Sequence, residues 1–130
     1  MRVLVVDAYP AAHPYAAVVR QAIEMLEKQD NQVDYLSLVS DEFSTAMTAD
    51  ERAAYETDEP LIADETKASA ARVQGADALL FCYPTTLFGV PPRLKGWLER
   101  VMVTGVAFVF DNKQRVRPGL TNVRRIGVVT

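Results

Sequence analysis

Short continuous apolar runs alternate with longer amphipathic stretches along this chain. Val3 to Val6 is a continuous apolar run, which predicts a strand buried on both faces of a sheet. Asp77 to Tyr83 repeats the pattern and ends where a proline follows. Val33 to Leu38 predicts a more exposed strand, and Ile126 to Val129 predicts a short last one. The chain therefore contains four candidate strands.

Helical spacing of apolar residues fills most of the sequence between these runs. The spacing predicts helices over residues 14–28, with Pro14 at the first helical position, and over residues 61–74, with Gly75 as a left-handed cap. A third helix follows Pro91-Pro92 and carries the stripe Leu94, Trp97, Leu98, Val101 and Met102. Periodicity fades over residues 40–60, where we expect a surface excursion with one helix near residues 49–56. Residues 111–122 are polar and predict a loop.

The predicted elements alternate between strand and helix throughout. This order predicts an α/β fold: an open parallel sheet with helices on both faces and right-handed crossovers. Ligands of such sheets bind beyond the carboxyl ends of the strands, at the switch point of the topology. The two loops that follow the most apolar strands, residues 8–14 and 84–90, are therefore the candidate binding loops.

Length and composition limit the class of protein. The 130 residues predict a single domain spanning residues 1–130, and a hydrophobic fraction of 49% with 24% charged residues is typical of a folded globular chain. No apolar run is long enough to cross a bilayer, and the first residues are too short for a secretory signal. The single Cys82 excludes a disulfide framework, so we expect a cytoplasmic location.

Charge is unevenly distributed although the formal net charge is only -3. Nine of the seventeen acidic residues lie between Asp41 and Glu65, whereas the segment after Pro91 is basic. A basic segment can face phosphates or an acidic partner, but an uneven solvated surface is the simpler interpretation and the one we favour. Nucleic acid is not expected as a partner, because no aromatic residues are interleaved with the basic ones.

Several nucleotide and metal motifs are absent. No G-x-G-x-x-G follows the first strand and no G-x-x-x-x-G-K-[ST] occurs, which disfavours a dinucleotide-binding Rossmann domain and a P-loop hydrolase. Asp7 ends the first strand as in a phosphorylatable receiver domain, but the third strand ends without a carboxylate. We expect no metal site, since His13 and Cys82 are the only soft ligands.

The segment YPTTLFGVPPRLKGWLERV, residues 83–101, resembles the signature of the flavodoxin-like NAD(P)H:quinone reductases. This family includes the modulator-of-drug-activity proteins and the potassium-efflux ancillary oxidoreductases. The opening VLVVDAYPAAHPY resembles the first strand and phosphate loop of the same family, and GVAF, residues 105–108, resembles its substrate-side stretch. The resemblance implies a flavodoxin-like sheet with strand order 2-1-3-4 and the fourth strand at an edge.

The resemblance also implies a flavin site. A flavin ring needs an apolar wall and backbone N–H donors, and its phosphate suits the N-terminus of the first helix. The residues implied in cofactor binding are Tyr9, His13, Pro14 and Tyr15 on the phosphate side and Pro84, Thr85, Thr86, Leu87 and Phe88 on the ring side. Val106, Ala107 and Phe108 are implied on the side of the quinone or nicotinamide. No catalytic residue is assigned.

The implied function is hydride transfer from NAD(P)H to FAD or FMN, followed by two-electron reduction of a quinone, in a homodimer. The resemblance does not specify whether the flavin is FAD or FMN, or whether the electron donor is NADH or NADPH.

An alternative is a regulatory or protein-binding module that holds flavin weakly. Pro14 where the family has serine and Leu87 where it has tryptophan favour this alternative. A one-electron carrier would need a more acidic surface. The family continues beyond the position of Thr130 with a further loop and strand, so we expect that part of the family's domain to be missing from this chain.

Overall fold

A computed structural model describes all residues from Met1 to Thr130. The strands are β1 (Arg2–Asp7), β2 (Gln32–Ser37), β3 (Ala78–Cys82), β4 (Phe108–Phe110), β5 (Val116–Pro118) and β6 (Arg125–Val129). The helices are α1 (Ala16–Lys28), α2 (Ala49–Ala54), α3 (Asp64–Gln74) and α4 (Pro92–Val101). None of these helices is long and apolar enough to cross a membrane.

Four parallel strands form an open sheet in the order β2-β1-β3-β6. Counting only the strands of this sheet, the order is 2-1-3-4, so the predicted topology and the open edge at the last strand are confirmed. The central strand β1 is buried from Val3 onward because helices cover both of its faces. This burial explains why its sequence is a continuous apolar run instead of an alternating one.

The two faces of the sheet have separate cores. On one face, α1 packs through Val19 on Val3 and Val5. On the other, Leu94 and Trp97 of α4 pack on Leu4, Val6 and Leu79, with α3 alongside. Trp97 is fully buried, with its ring edge-on to Phe81 at 6.2 Å between centroids. The predicted apolar stripe of the last helix is therefore a core stripe.

A buried cluster of charged side chains connects the acidic segment, residues 40–60, to α4. Arg100 of α4 is 4% exposed and donates to Glu51 Oε1 at 2.7 Å, to Glu65 Oε1 at 2.5 Å and to the Ser44 carbonyl at 2.7 Å. Thr48 and Glu51 also form a capping box that starts α2. The excursion predicted over residues 40–60 is thus an ordered segment that is tied to α4.

Two predicted helix starts and one predicted helix cap differ from the structure. α1 begins at Ala16 and not at Pro14, because His13 Nδ1 and the His13 carbonyl accept the amides of Tyr15 and Ala16 in a preceding turn. α3 begins at Asp64, three residues after Leu61. Gly75 ends α3 at φ −87°, so the predicted left-handed cap is wrong. Its amide continues the helical pattern by donating to the Ala71 carbonyl at 3.0 Å.

The polar segment after α4 is not a plain loop. β4 and β5 pair as an antiparallel hairpin, in which Phe110 lies opposite Val116. The Asp111 carboxylate accepts from the Lys113 and Arg115 amides and bridges the side chains of Arg115 and Arg117. Strands of three residues are too short to leave a periodic signal, so the sequence indicated only a loop.

Candidate functional site

The loops that follow β1 and β3 meet at the carboxyl edge of the sheet. β1 and β3 are neighbours, and the Ala8 amide donates to the Cys82 carbonyl at 2.8 Å where the two strands end. The chain leaves β1 toward β2 on one side and returns to β3 on the other, which makes this the switch point of the topology. The two predicted binding loops are therefore brought together.

The loop after β3 presents an apolar turn to solvent. Thr86 and Gly89 exchange backbone hydrogen bonds of 2.9 and 3.0 Å, with Leu87 and Phe88 at the tip. Leu87 has φ +46° and Phe88 has φ +62°, and their side chains are 91% and 99% exposed. A left-handed conformation costs a residue other than glycine roughly 1–2 kcal/mol. A strained turn that exposes two large apolar side chains is typical of a contact surface for another molecule.

The same loop offers free backbone donors. The amides of Thr85, Leu87 and Phe88 donate no hydrogen bond within the chain. The Thr86 hydroxyl donates to the Pro84 carbonyl at 3.3 Å, and the Thr85 hydroxyl pairs with that of Thr130 after β6. The loop therefore combines apolar side chains with unpaired N–H groups.

A cleft of about 590 Å³ adjoins this turn. Its walls come from the loops after β1, β2 and β3 and from the start of α4: Ala8, Pro10, Val39, Thr45, Pro84, Thr86, Pro91, Pro92 and Arg93. Half-buried Arg93 donates through Nη1 to the Leu38 and Phe43 carbonyls at 3.2 and 2.9 Å, and no carboxylate pairs with it. The cleft is large enough for a ring system of small-molecule size.

Aromatic residues dominate the loop after β1. The rings of Tyr9 and His13 have centroids 4.8 Å apart, and His13 stacks on Tyr15 at 5.4 Å. Tyr9 is buried, His13 is half-buried, and Pro14 and Tyr15 are exposed. The structure therefore brings three of the four predicted phosphate-side residues into one aromatic group.

Most backbone donors of this loop are engaged within it. The amides of His13, Tyr15, Ala16 and Val18 all have local acceptors, and the two prolines have no N–H. Three amides of residues 10–18 remain free: Ala11, Ala12 and Ala17. The loop keeps some capacity for an anion, but less than an open helix N-terminus.

Residues 106–108 lie at the opposite end of the sheet. The Gly105 carbonyl accepts from Gln74 Nε2 at 3.2 Å, and Asn122 donates to the Gln74 and Ala76 carbonyls just before β3 begins. Val106 is 1% exposed and belongs to the core, whereas Ala107 and Phe108 are half-buried. Within one chain the structure thus separates these residues from the 84–88 loop, and the Val106 side chain is packed in the core.

Asp7 at the end of β1 is a buried residue that the sequence did not predict to belong to a site. Asp7 is 7% exposed and accepts from the Tyr9 amide at 2.9 Å and from the Tyr35 hydroxyl at 2.8 Å. Burial and the hydrogen bond to Asp7 raise the pKa of Tyr35 to about 12. Burial, with the Asp7 charge added, also raises the pKa of the Cys82 thiol to about 12. Cys82 is therefore an inert buried thiol.

The sheet order and the two loops define a flavodoxin-like α/β protein. The family model described as the flavodoxin-like fold matches residues 1–130, and the chain belongs to this family. The assignment covers the whole chain and agrees with the family that the motif at residues 83–101 resembles.

Several known proteins are similar to this chain. It is 44% identical over 43 residues to NAD(P)H dehydrogenase [quinone] 1 of Rattus norvegicus, covering 33% of this chain and 16% of that protein. The structure of an NAD(P)H:quinone oxidoreductase from Methanothermobacter marburgensis aligns over 98% of this chain and 64% of that one, at 22% identity and TM-score 0.86. An FMN-dependent NADH-azoreductase from Bacillus anthracis aligns over 98% and 67%, at 15% identity and TM-score 0.69. The chain thus spans about two-thirds of these solved structures and a far smaller share of the curated relative.

Proposed function

We propose that this chain is the flavin-binding part of an NAD(P)H:quinone oxidoreductase. The observation that carries the proposal is the strained Leu87-Phe88 turn, which exposes two apolar side chains beside the cleft at the sheet switch point. The named activities of the similar proteins support the same chemistry. We further propose a cytoplasmic location, because the chain has only the single, buried Cys82.

The residues of the 84–89 loop fit the ring end of a flavin. Leu87 and Phe88 would supply the apolar wall, and the free amides of Thr85, Leu87 and Phe88 are the donors that a reduced, negatively charged ring requires. When bound, a flavin supplies hydride acceptance from NAD(P)H and two-electron delivery to a quinone. The chain's own part is to hold the ring and to place N–H dipoles where negative charge develops.

The loop after β1, which would hold the flavin phosphate, offers a less favourable environment for its ligand than the 84–89 loop offers for the ring. We propose contact through the free amides of Ala11 and Ala12, with Tyr9, His13, Pro14 and Tyr15 forming the surrounding surface. The buried Asp7 carboxylate at the base of the loop opposes a nearby anion. We therefore expect the ring to contribute more of the binding energy than the phosphate, for FMN and FAD alike.

A second copy of the chain is part of the proposal. Ala107 and Phe108 lie near the amino ends of the strands, whereas the Leu87-Phe88 turn lies beyond their carboxyl ends. A quinone or nicotinamide that contacts both the Leu87-Phe88 turn and residues 107–108 therefore requires a homodimer. One chain would supply the turn and the other would supply residues 107–108. Sedimentation equilibrium tests this arrangement.

The second candidate is a protein-binding module of the same fold that holds flavin weakly. The internally satisfied amides of the loop after β1 favour this alternative. Such a module would use the exposed Leu87-Phe88 turn for contact with a protein instead of a flavin.

A flavin titration distinguishes the two candidates. Fluorescence quenching of FMN and FAD by the chain would give dissociation constants, and NAD(P)H-dependent reduction of menadione would be followed on the same sample. We expect saturable quenching that weakens about tenfold or more in Phe88→Ser, because the ring loses its apolar contact. Met25→Ser on α1, another exposed apolar residue at 61%, is the matched control and should leave binding unchanged. A chain that is folded by circular dichroism yet quenches neither flavin would refute the reductase proposal.

A further inference from the structure

A second cavity lies apart from the 84–89 loop, between α1 and the carboxyl ends of β1 and β2. Its volume is about 320 Å³, at the lower end of the range for small-molecule sites. Asp7 and Tyr35 line it from the sheet side, and Val19 and Ile23 line it from α1. None of the proposed flavin-ring contacts takes part in this cavity.

The unusual group in this cavity is the Asp7 carboxylate. It is 7% exposed, and no lysine, arginine or histidine forms an ion pair with it. A buried carboxylate without a cation is costly, because neutral donors replace only part of its hydration. An amide side chain could accept the Tyr9 N–H equally well without that cost. The Asp7 charge therefore indicates a cationic partner that comes from outside the chain.

The surroundings of Asp7 suit an ammonium group. A carboxylate has about four acceptor positions, and the Tyr9 amide and the Tyr35 hydroxyl occupy two of them. Tyr9 and Tyr35 both line the cavity, and tyrosine rings attract cations through their negative faces. The cavity therefore offers a charged acceptor together with aromatic surface.

The side of the cavity formed by α1 adds two further properties. Ala16, Val19 and Ile23 form an apolar wall, which suits a hydrocarbon body. Arg20 also lines the cavity, and its exposed side chain forms no ion pair. A plain cation would be repelled by Arg20, whereas a ligand with a carboxylate would be attracted to it. The two unpaired charges thus favour a ligand that carries both signs.

We propose that this cavity binds a small zwitterion with an apolar body, of the α-amino acid class. Its ammonium group donates to Asp7 beside the tyrosine rings, its carboxylate pairs with Arg20, and its side chain packs on Val19 and Ile23 of α1. The cavity uses none of the proposed flavin-ring contacts and requires no second copy of the chain, but its wall includes Tyr9 and Ala11 of the proposed phosphate side.

Three probes of the same shape test the charge requirement. L-Phenylalanine carries both charges, phenethylamine lacks the carboxylate, and 3-phenylpropanoate lacks the ammonium. Amide shifts of the chain in ¹H–¹⁵N spectra would give each dissociation constant without any flavin present. We expect L-phenylalanine to bind about tenfold more tightly than either singly charged probe, since each loses one charge-assisted contact. Shifts should centre on residues 7–9, 19–23 and 35–40.

Two variants assign the charges to residues. Asp7→Asn should weaken L-phenylalanine and phenethylamine but not 3-phenylpropanoate, with Asp30→Asn as the matched control on an exposed turn. Arg20→Gln should reduce the affinity for L-phenylalanine to that for phenethylamine, and Arg124→Gln, also exposed, should not. Equal affinities for the three probes, no saturable shift at millimolar concentration, or an unchanged constant in Arg20→Gln would each overturn the proposal. If Asp7→Asn does not fold, the Arg20→Gln variant and the three probes still test the proposed site.

Discussion

Replacing Gly96 with alanine tests the packing of α4 against the segment that follows β2. Gly96 is a buried residue in the interior of α4. A Cβ atom there would lie 2.3 Å from the Thr45 carbonyl oxygen and 2.7 Å from Thr45 Cα. Both atoms belong to the backbone, so no rotation of a flexible side chain relieves the overlap. The helix or the Thr45 segment must move by roughly 1 Å to restore an ordinary contact of about 3.5–4.0 Å.

Two opposing energies decide the sign of this substitution. Glycine to alanine inside a helix normally raises the free energy of unfolding by about 0.5–1 kcal/mol. Overpacking costs about 1–3 kcal/mol. The Thr45 segment cannot shift freely, because Arg93 holds the Phe43 carbonyl and Arg100 holds the Ser44 carbonyl. We therefore expect Gly96→Ala to lower the free energy of unfolding by a net amount of about 1–2 kcal/mol.

Urea unfolding followed by far-ultraviolet circular dichroism measures the effect. Gly89→Ala is the matched control, because a Cβ atom at Gly89 would find only the Thr86 carbonyl oxygen, at 3.9 Å. We expect its stability to be unchanged or raised by up to about 1 kcal/mol. A Gly96→Ala chain as stable as the parent, or more stable, would refute the packing argument and show that helix propensity dominates.

Three further predictions concern ionisable groups and the open edge of the sheet. Burial alone raises the pKa of Glu51, but hydrogen bonds from Thr48 and Arg100 outweigh it and bring the pKa below 4.5. The contribution of Glu51 to stability is therefore present above pH 4.5 and is lost as the pH falls through the lowered pKa, so the urea midpoint should decline there and decline less in Glu51→Gln. Cys82 should resist a disulfide reagent at pH 8 until urea unfolds the chain, and rapid labelling of the native chain would contradict its burial. β6 has an unpaired edge with Ile126 69% exposed, so Ile126→Lys should reduce self-association in analytical ultracentrifugation without lowering the urea midpoint.

The sequence predicted the parts of this protein that depend on local patterns. β1 and β3 were predicted because central parallel strands, buried on both faces, require continuous apolar runs. The stripe of α4 follows from helical spacing, and the alternation of elements predicts a parallel sheet. The motif at residues 83–101 resembled a family that the comparison over residues 1–130 supports.

The candidate site was predictable only in outline. The switch-point rule correctly brought the loops after β1 and β3 together, because it depends only on the order of elements. The strained Leu87-Phe88 turn was not predictable, since residues with large side chains rarely adopt positive φ. The separation of residues 106–108 from this turn was also not predictable, because it depends on the path of the chain after α4.

The α/β class follows from the order of the predicted elements, the sheet order from the family resemblance, and the meeting of the loops after β1 and β3 from the switch-point rule. Which charges are buried and which are paired becomes visible only in the folded chain. Arg100 pairs with Glu51 and Glu65, which lie 35 or more residues away in sequence, whereas buried Asp7 forms no ion pair. The physical reason is that periodicity reports which face of an element is apolar, while the partner of a buried charge depends on packing between elements that are distant in sequence.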